Sequence, residues 1–163
     1  MIQTNTRLGE ILIHKGWLTQ ERLEQALQEQ KATRKFLGSI LLDKRFITEK
    51  QLAQVLSEQF RMPCVNLANC YVDWAAVAKF SSSLIMEHKC VPLSDDGSCV
   101  TFAITNPLDA WAMAEAGRQA KNRAVKFVLA LESEMEELLQ RYHRQVSGRI
   151  RKSLDDLLNK EGE

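Results

Sequence analysis

The chain has 163 residues, 45% apolar and 26% charged, which fits one ordinary globular domain or two small ones and excludes a disordered or membrane-embedded chain. Twenty-two Lys and Arg against 21 Asp and Glu leave a formal charge of +1, so no global field draws nucleic acid or anionic lipid. The charge is unevenly placed: +3 over residues 1–62, −4 over 63–140 and +2 over 141–163, so the N-terminal part is the natural host for an anionic ligand.

No run approaches the ~20 apolar residues of a membrane-spanning helix. The opening MIQTNTRLGE lacks the basic flank and apolar core of a signal peptide. Cys64, Cys70, Cys90 and Cys99 are separated by five, nineteen and eight residues, which matches neither a zinc pair nor a redox Cys-x-x-Cys. They read as free thiols, buried or half-buried, in a chain placed in the cytoplasm.

An internal repeat organises the N-terminal part. Residues 7–30 (RLGEILIHKGWLTQERLEQALQEQ) and 36–59 (FLGSILLDKRFITEKQLAQVLSEQ) align without a gap across the spacer KATRK, with eleven of 24 positions identical. Repeats this short do not bury a core alone, so the two are expected to pack on each other as a pseudo-symmetric pair. Each block reads as helix, tight turn, helix. In the first, Leu8, Ile11 and Leu12 form an apolar stripe and Gly16 ends the helix. Thr19 then caps a helix with Glu21 in its first turn and Leu23, Ala26 and Leu27 on its inner face. The second block restarts with Leu37, Ile40 and Leu41, and carries a capping box, Thr48 with Gln51, before Leu52, Val55 and Leu56. Arg45 stands where the first block has Gly16. A positive φ there would cost a non-glycine residue roughly 1 kcal/mol, so a different second turn is expected.

After Pro63 the pattern changes. A short helix is predicted over 73–80, then a serine cluster at Ser81, Ser82 and Ser83 and a helical turn around Leu84. Residues 89–93 and 99–105 read as strands joined by an Asp95-Asp96-Gly97-Ser98 turn. Asn106-Pro107 opens a helix, with Asn as cap, Pro in first position and Asp109 in third, running to about Gln119. Residues 124–130 form a third strand and 132–144 a clear helix, with a right-handed crossover between the second and third strands. From Ser147 the chain reads as polar and loosely helical. The expected fold class is α+β. It comprises a four-helix tandem-repeat subdomain at 1–62, a small α/β subdomain with a three-stranded sheet and flanking helices at 63–146, and a linker or tail at 147–163.

The familiar catalytic signatures are absent. The sequence has no Walker A pattern, no Gly-rich dinucleotide loop, no His-Glu-x-x-His and no Gly-x-Ser-x-Gly. His14, His88 and His143 stand apart from one another and from any cysteine at ligand spacing, so neither a metal site nor an enzyme is expected.

The Leu-Gly dipeptide that opens each block needs a physical reason, because glycine costs roughly 1 kcal/mol in a helix interior. Gly9 and Gly38 could simply let the two helices of a repeat touch. Alternatively, a flat or anionic ligand lies on exposed helix starts, where free N–H groups and the helix dipole favour phosphate. Arg7 could pair there with a guanine edge or a phosphate. Lys31, Arg34 and Lys35 in the spacer would add positive potential, or are an ordinary solvated linker. Gln30 and Gln59 close the two blocks at matched positions, beside the apolar Leu27 and Leu56. Apolar and amide groups presented twice suit a ligand that is itself two-fold symmetric.

The 24–5–24 layout, with Arg7-Leu8-Gly9, the mid-block Gly16, paired Leu23 and Leu27 and terminal Gln30, resembles the MshEN domain. This is the N-terminal domain of type II secretion and type IV pilus assembly ATPases, also found on other bacterial proteins. Val91-Pro92-Leu93, the strand at 100–104 and Asn106-Pro107-Leu108-Asp109 resemble the family's second subdomain, so the likeness spans about 7–145. The resemblance implies cyclic di-GMP bound across the two blocks, largely through apolar contacts and backbone groups. It also implies an ATPase core that normally follows and that these residues do not contain. Matched site positions are Arg7, Leu8, Gly9, Leu23, Leu27 and Gln30 in the first block, and Leu37, Gly38, Leu52, Leu56 and Gln59 in the second. Two positions depart: Phe36 replaces the expected Arg and Arg45 the expected Gly. Phe36 can still stack on a purine, but a charge-assisted contact of roughly 1.5–3 kcal/mol is lost.

Two readings therefore stand. The first is a cyclic di-GMP-binding regulatory module of a secretion or pilus ATPase system, non-catalytic by itself and without DNA or RNA as partner. The second is a docking module of the same fold that binds the cytoplasmic part of an inner-membrane platform protein without nucleotide. In both the chain is cytoplasmic, peripheral to the inner membrane through a partner.

Overall fold

The computed structural model describes residues 2–160, with side chains at 7–153 and at Asp156. Four helices come first: α1 (Ile2–His14), α2 (Gln20–Thr33), α3 (Leu37–Asp43) and α4 (Glu49–Phe60). Thr19 accepts from the Arg22 amide to cap α2. Thr48 and Gln51 form the full capping box at α4. The helices exchange partners between repeats, α1 packing on α4 and α2 on α3. Two ion pairs report the pseudo-two-fold directly. Lys15 meets Glu58 at 3.0 Å and Lys44 meets Glu29 at 2.6 Å, matched residues joined in both directions. Leu12, Ala26, Leu37, Ile40, Leu41 and Val55 are sealed between the helices.

The two interhelical turns are the same turn, contrary to the expectation from Arg45. Gly16 has φ +71° and Arg45 φ +55°. The Trp17 amide donates to Leu12 O at 2.9 Å, and the Phe46 amide to Leu41 O at 2.9 Å. Both turns thus close a helix with the six-to-one bond of a Schellman motif. The bond and the burial of Ile47 (6% exposed) and Leu41 behind it outweigh the left-handed penalty at a single arginine.

A 3-10 turn at Leu67–Asn69 leads into α5 (Trp74–Val77), capped by Asp73, and α6 (Ser82–Met86), capped by Ser81. The sheet follows: β1 (Val91–Asp95), β2 (Cys99–Ile104) and, after α7 (Ala110–Ala120), β3 (Ala124–Leu129). The order is β1-β2-β3, with β1 antiparallel and β3 parallel to β2, so α7 lies in a crossover. β1 begins later than predicted because Lys89 takes φ +49° and the Cys90 amide still bonds Leu84 O. Pro92 has no amide to donate, and the β1–β2 register shifts between Pro92 and Ser94. Asp95 and Asp96 brace the hairpin turn, where Gly97 has φ +88°. The Asp95 carboxyl is held below its ordinary pKa, first by the Lys79 hydrogen bond and then by the Gly97 amide.

Two further boundaries differ from the sequence reading. Asp109, not Asn106, caps α7 by accepting from the Ala112 amide, while Asn106 accepts from the Leu108 amide in the preceding turn. The Asx turn uses Asn106 first, so the helix starts three residues later. The last helix, α8 (Glu132–Lys160), runs unbroken for 29 residues instead of stopping near Arg144. Its first turns bury Met135, Leu138 and Leu139 against the sheet.

The segment after α4 ties the two halves together. The Val65 amide donates to Leu129 O and the Leu129 amide to Pro63 O, both at 2.8 Å, extending the sheet beyond β3. Ser133 Oγ donates to Glu49 Oε2 at 2.6 Å, joining the start of α8 to the start of α4.

Candidate functional site

The two glycines are explained by helix contact. A Cβ at Gly9 would stand 2.7 Å from both Leu23 Cδ atoms, and one at Gly38 would stand 3.0 and 3.1 Å from those of Leu52. Each glycine therefore lets the first helix of its repeat sit against a leucine of the second. Only one of the two Leu-Gly dipeptides lies at a helix start. α3 begins at Leu37, but α1 begins at Ile2, so Leu8 and Gly9 are interior and their amides are bonded within the helix. The expectation of two exposed helix starts is thus corrected at the first block.

Helical spacing aligns Leu23, Leu27 and Gln30 on one face of α2, and Leu52, Leu56 and Gln59 on one face of α4. Within these sets burial separates framework from surface. Leu8, Leu23, Leu37 and Leu56 are buried, whereas Leu27, Gln30, Leu52 and Gln59 are half-buried. Arg7 is exposed on α1, and Phe36 is 46% exposed at the start of α3, where its ring makes no capping bond. Gln30 Nε2 donates to Lys35 O at 2.9 Å and so fixes the end of the spacer just before Phe36. Lys31 and Arg34 are exposed on that spacer, and Lys35 pairs with Asp43 at 3.3 Å. The apolar ring and the cations lie within one short stretch of surface. Sequence reasoning missed the matched pairs Lys15–Glu58 and Lys44–Glu29, although identity at both positions of the alignment was the available signal.

A cleft of about 510 Å³ opens between the second repeat and the sheet subdomain. Leu42, Leu52, Leu56 and Leu131 give it an apolar floor. Its walls carry six carboxylates, Asp43, Glu49, Glu87, Asp109, Glu132 and Glu136, against Lys89 and His88. Lys89 is engaged by Glu132, and His88 Nδ1 lies 2.9 Å from Asp109 Oδ2, its ring stacked on Trp111 at 4.1 Å between centroids. The net negative walls of this cleft disfavour a ligand carrying two phosphates, although its floor includes Leu52 and Leu56 of the second block.

The cysteines are free thiols, but whereas Cys90 is buried and Cys70 and Cys99 are half-buried, Cys64 is exposed, contrary to the expectation. Cys90 is buried and its pKa is pushed up to about 12 by desolvation, and Cys64 is raised for the same reason first. Neither is a thiolate at neutral pH. The Lys15 hydrogen bond holds Glu58 below its ordinary pKa, so this carboxyl is ionised at neutral pH. Among the described residues, no group of three or more His, Cys, Asp and Glu could hold a metal ion, and no helix is long and apolar enough to cross a membrane.

Comparison with known proteins places this arrangement. The MshEN domain family profile matches residues 60–149, the sheet subdomain with much of α8. The solved structure of MshE with cdg is 29% identical, covering 83% of this chain and 98% of that one at a TM-score of 0.74. It therefore extends the likeness into the helical repeats. The N-terminal domain of XpsE is 22% identical over 83% of this chain and 93% of its own, at a TM-score of 0.69, and shares the fold. No curated protein matches the chain. The profile covers more than half of the chain and the fold agrees over 83% of it: the chain belongs to the MshEN domain family.

Proposed function

We propose that the chain is a cyclic di-GMP-binding regulatory module of a type II secretion or type IV pilus assembly ATPase system, non-catalytic by itself. The observation that carries this reading is the exchange of matched ion pairs between the repeats, which gives a two-fold nucleotide a two-fold surface. The similarity to MshE, solved with cdg, supports it. In this reading residues 1–62 hold the ligand, 63–146 form the second subdomain and 147–163 are a linker or tail, helical to Lys160 as the end of α8. The module is cytoplasmic and reaches the inner membrane through a partner.

Within the proposed site the residues divide by burial. Arg7 presents a guanidinium to a phosphate or guanine edge, and Phe36 presents a ring for stacking. Leu27 and Leu52 offer half-exposed apolar surface, and Gln30 and Gln59 stand at the ends of the two faces. Leu8, Leu23, Leu37 and Leu56 act from beneath, with Gly9 and Gly38 setting how closely the helices approach.

Calorimetric titration with cyclic di-GMP tests the proposal. Wild type is expected to bind, Arg7→Ala to bind more weakly, and Phe36→Arg to bind about tenfold more tightly, since a second guanidinium restores the contact missing from the second block. Failure of all three to bind would replace this reading with the docking one. In that alternative Tyr71, 81% exposed, and Trp111, 53% exposed, are the large aromatic side chains that the sheet subdomain offers to a partner.

A further inference from the structure

We infer that the cleft between the second repeat and the sheet subdomain receives the distal, cationic part of α8 from a second copy of the chain, in a head-to-tail contact. The inference does not require nucleotide, but its floor shares Leu52 and Leu56 with the proposed nucleotide site, so the two occupants compete. Its first ground is charge complementarity within one sequence. No carboxylate occurs between Glu137 and Asp155, and that interval carries Arg141, Arg144, Arg149, Arg151 and Lys152. The cleft carries six carboxylates over a leucine floor.

Its second ground is the match of apolar anchor to apolar floor. Ile150 is 57% exposed between Arg149 and Arg151 and just before Lys152, all three exposed on an ordered helix. The exposed segment thus carries an aliphatic group and cations on adjacent faces of one helix, and the cleft carries a floor of Leu52 and Leu56 beside Asp43, Glu87 and Glu136.

The rigidity of α8 decides between contact within one chain and contact between two. Glu132 and Glu136, at the beginning of this helix, themselves line the cleft. Arg149 to Lys152 follow 13 to 20 residues later, which at 1.5 Å per residue puts them about 20–30 Å away along a continuous helix. The cationic part cannot fold back into its own cleft without breaking α8. It can enter only a neighbour's: two copies that exchange their tails close into a two-fold dimer, and copies that each enter a third propagate into a ring or a chain.

Sedimentation velocity of the whole chain across a concentration series, without nucleotide, is the test. Wild type is expected to self-associate at about 50 mM salt and to dissociate at about 500 mM, where charges are screened within a few ångströms. The triple variant Arg149→Glu, Arg151→Glu, Lys152→Glu should self-associate at least about tenfold more weakly, and so should Asp43→Lys, Glu87→Lys, Glu136→Lys. All six positions are exposed, so both variants should fold, which circular dichroism checks. Mixing the two variants should restore association, since the reversed helix then meets the reversed cleft. A wild type that stays monomeric at low salt overturns the proposal, as does a mixture that fails to associate. Cosedimentation of monomeric wild type with phosphatidylglycerol vesicles, lost in the helix variant, would overturn it in favour of a lipid surface.

Discussion

The two repeats share eleven of 24 residues and one backbone path, yet they are not equivalent in the folded chain. Leu23 is buried where its counterpart Leu52 is half-buried, and Leu56 is buried where Leu27 is half-buried. α1 runs 13 residues through Leu8, while α3 starts at Leu37 and has seven. The second repeat sits against the sheet subdomain through Ser133–Glu49 and the cleft, and its burial pattern is set by that neighbour as much as by its own helices. A duplicated sequence thus yields one face toward solvent and one toward a partner domain. The shared residues are those that make the repeat, and burial of the others follows position.

Truncation of the paired leucines separates the repeats most strongly. Leu56→Ala, at a site 6% exposed, should lose about 2–5 kcal/mol of stability, and Leu27→Ala roughly half as much. Chemical denaturation of both measures the difference, and equal losses would show that the sheet subdomain does not distinguish the two faces.

Next come the glycines. Gly9→Ala places a methyl 2.7 Å from two carbons of a buried leucine, whereas Gly38→Ala meets its leucine at 3.0 Å, where Leu52 has room to give. Gly9→Ala should therefore be the less stable of the two by about 1–2 kcal/mol. Matching melting temperatures would mean that Leu23 moves as freely as Leu52.

The turns predict opposite signs at one matched position. Arg45→Gly should stabilise by about 1 kcal/mol, and Gly16→Arg should destabilise by a similar amount, since both sites hold positive φ. Thermal melts of the two variants check it. An Arg45→Gly chain no more stable than wild type would indicate that the arginine side chain contributes what its backbone loses.

The smallest effect concerns the exchanged ion pairs. Lys15→Met and Lys44→Met should each lose no more than about 1 kcal/mol, and by similar amounts, because both pairs are partly exposed. The loss should shrink in high salt. A large difference between them would break the pseudo-two-fold at the one place where it is most directly seen.

Much of this molecule follows from sequence alone. Local chemistry fixed the repeat: apolar periodicity gave four helices, Thr19 and Thr48 their starts, and Gly16 a stop, because each signal acts within a few residues. The three strands and the crossover helix were legible for the same reason. What tertiary structure alone decided depends on distant partners. Arg45 adopts glycine's conformation because a neighbouring helix end demands it, and Gly9 serves a leucine fourteen residues away rather than an exposed helix start. The start of α7 was set by an Asx turn at Asn106 that displaced the cap to Asp109. The division of the candidate site into exposed Arg7 and Phe36 above buried Leu8, Leu37 and Leu56 was also out of reach of the alignment. Identical residues in two repeats carry identical local instructions, and only the surfaces they finally meet make them different.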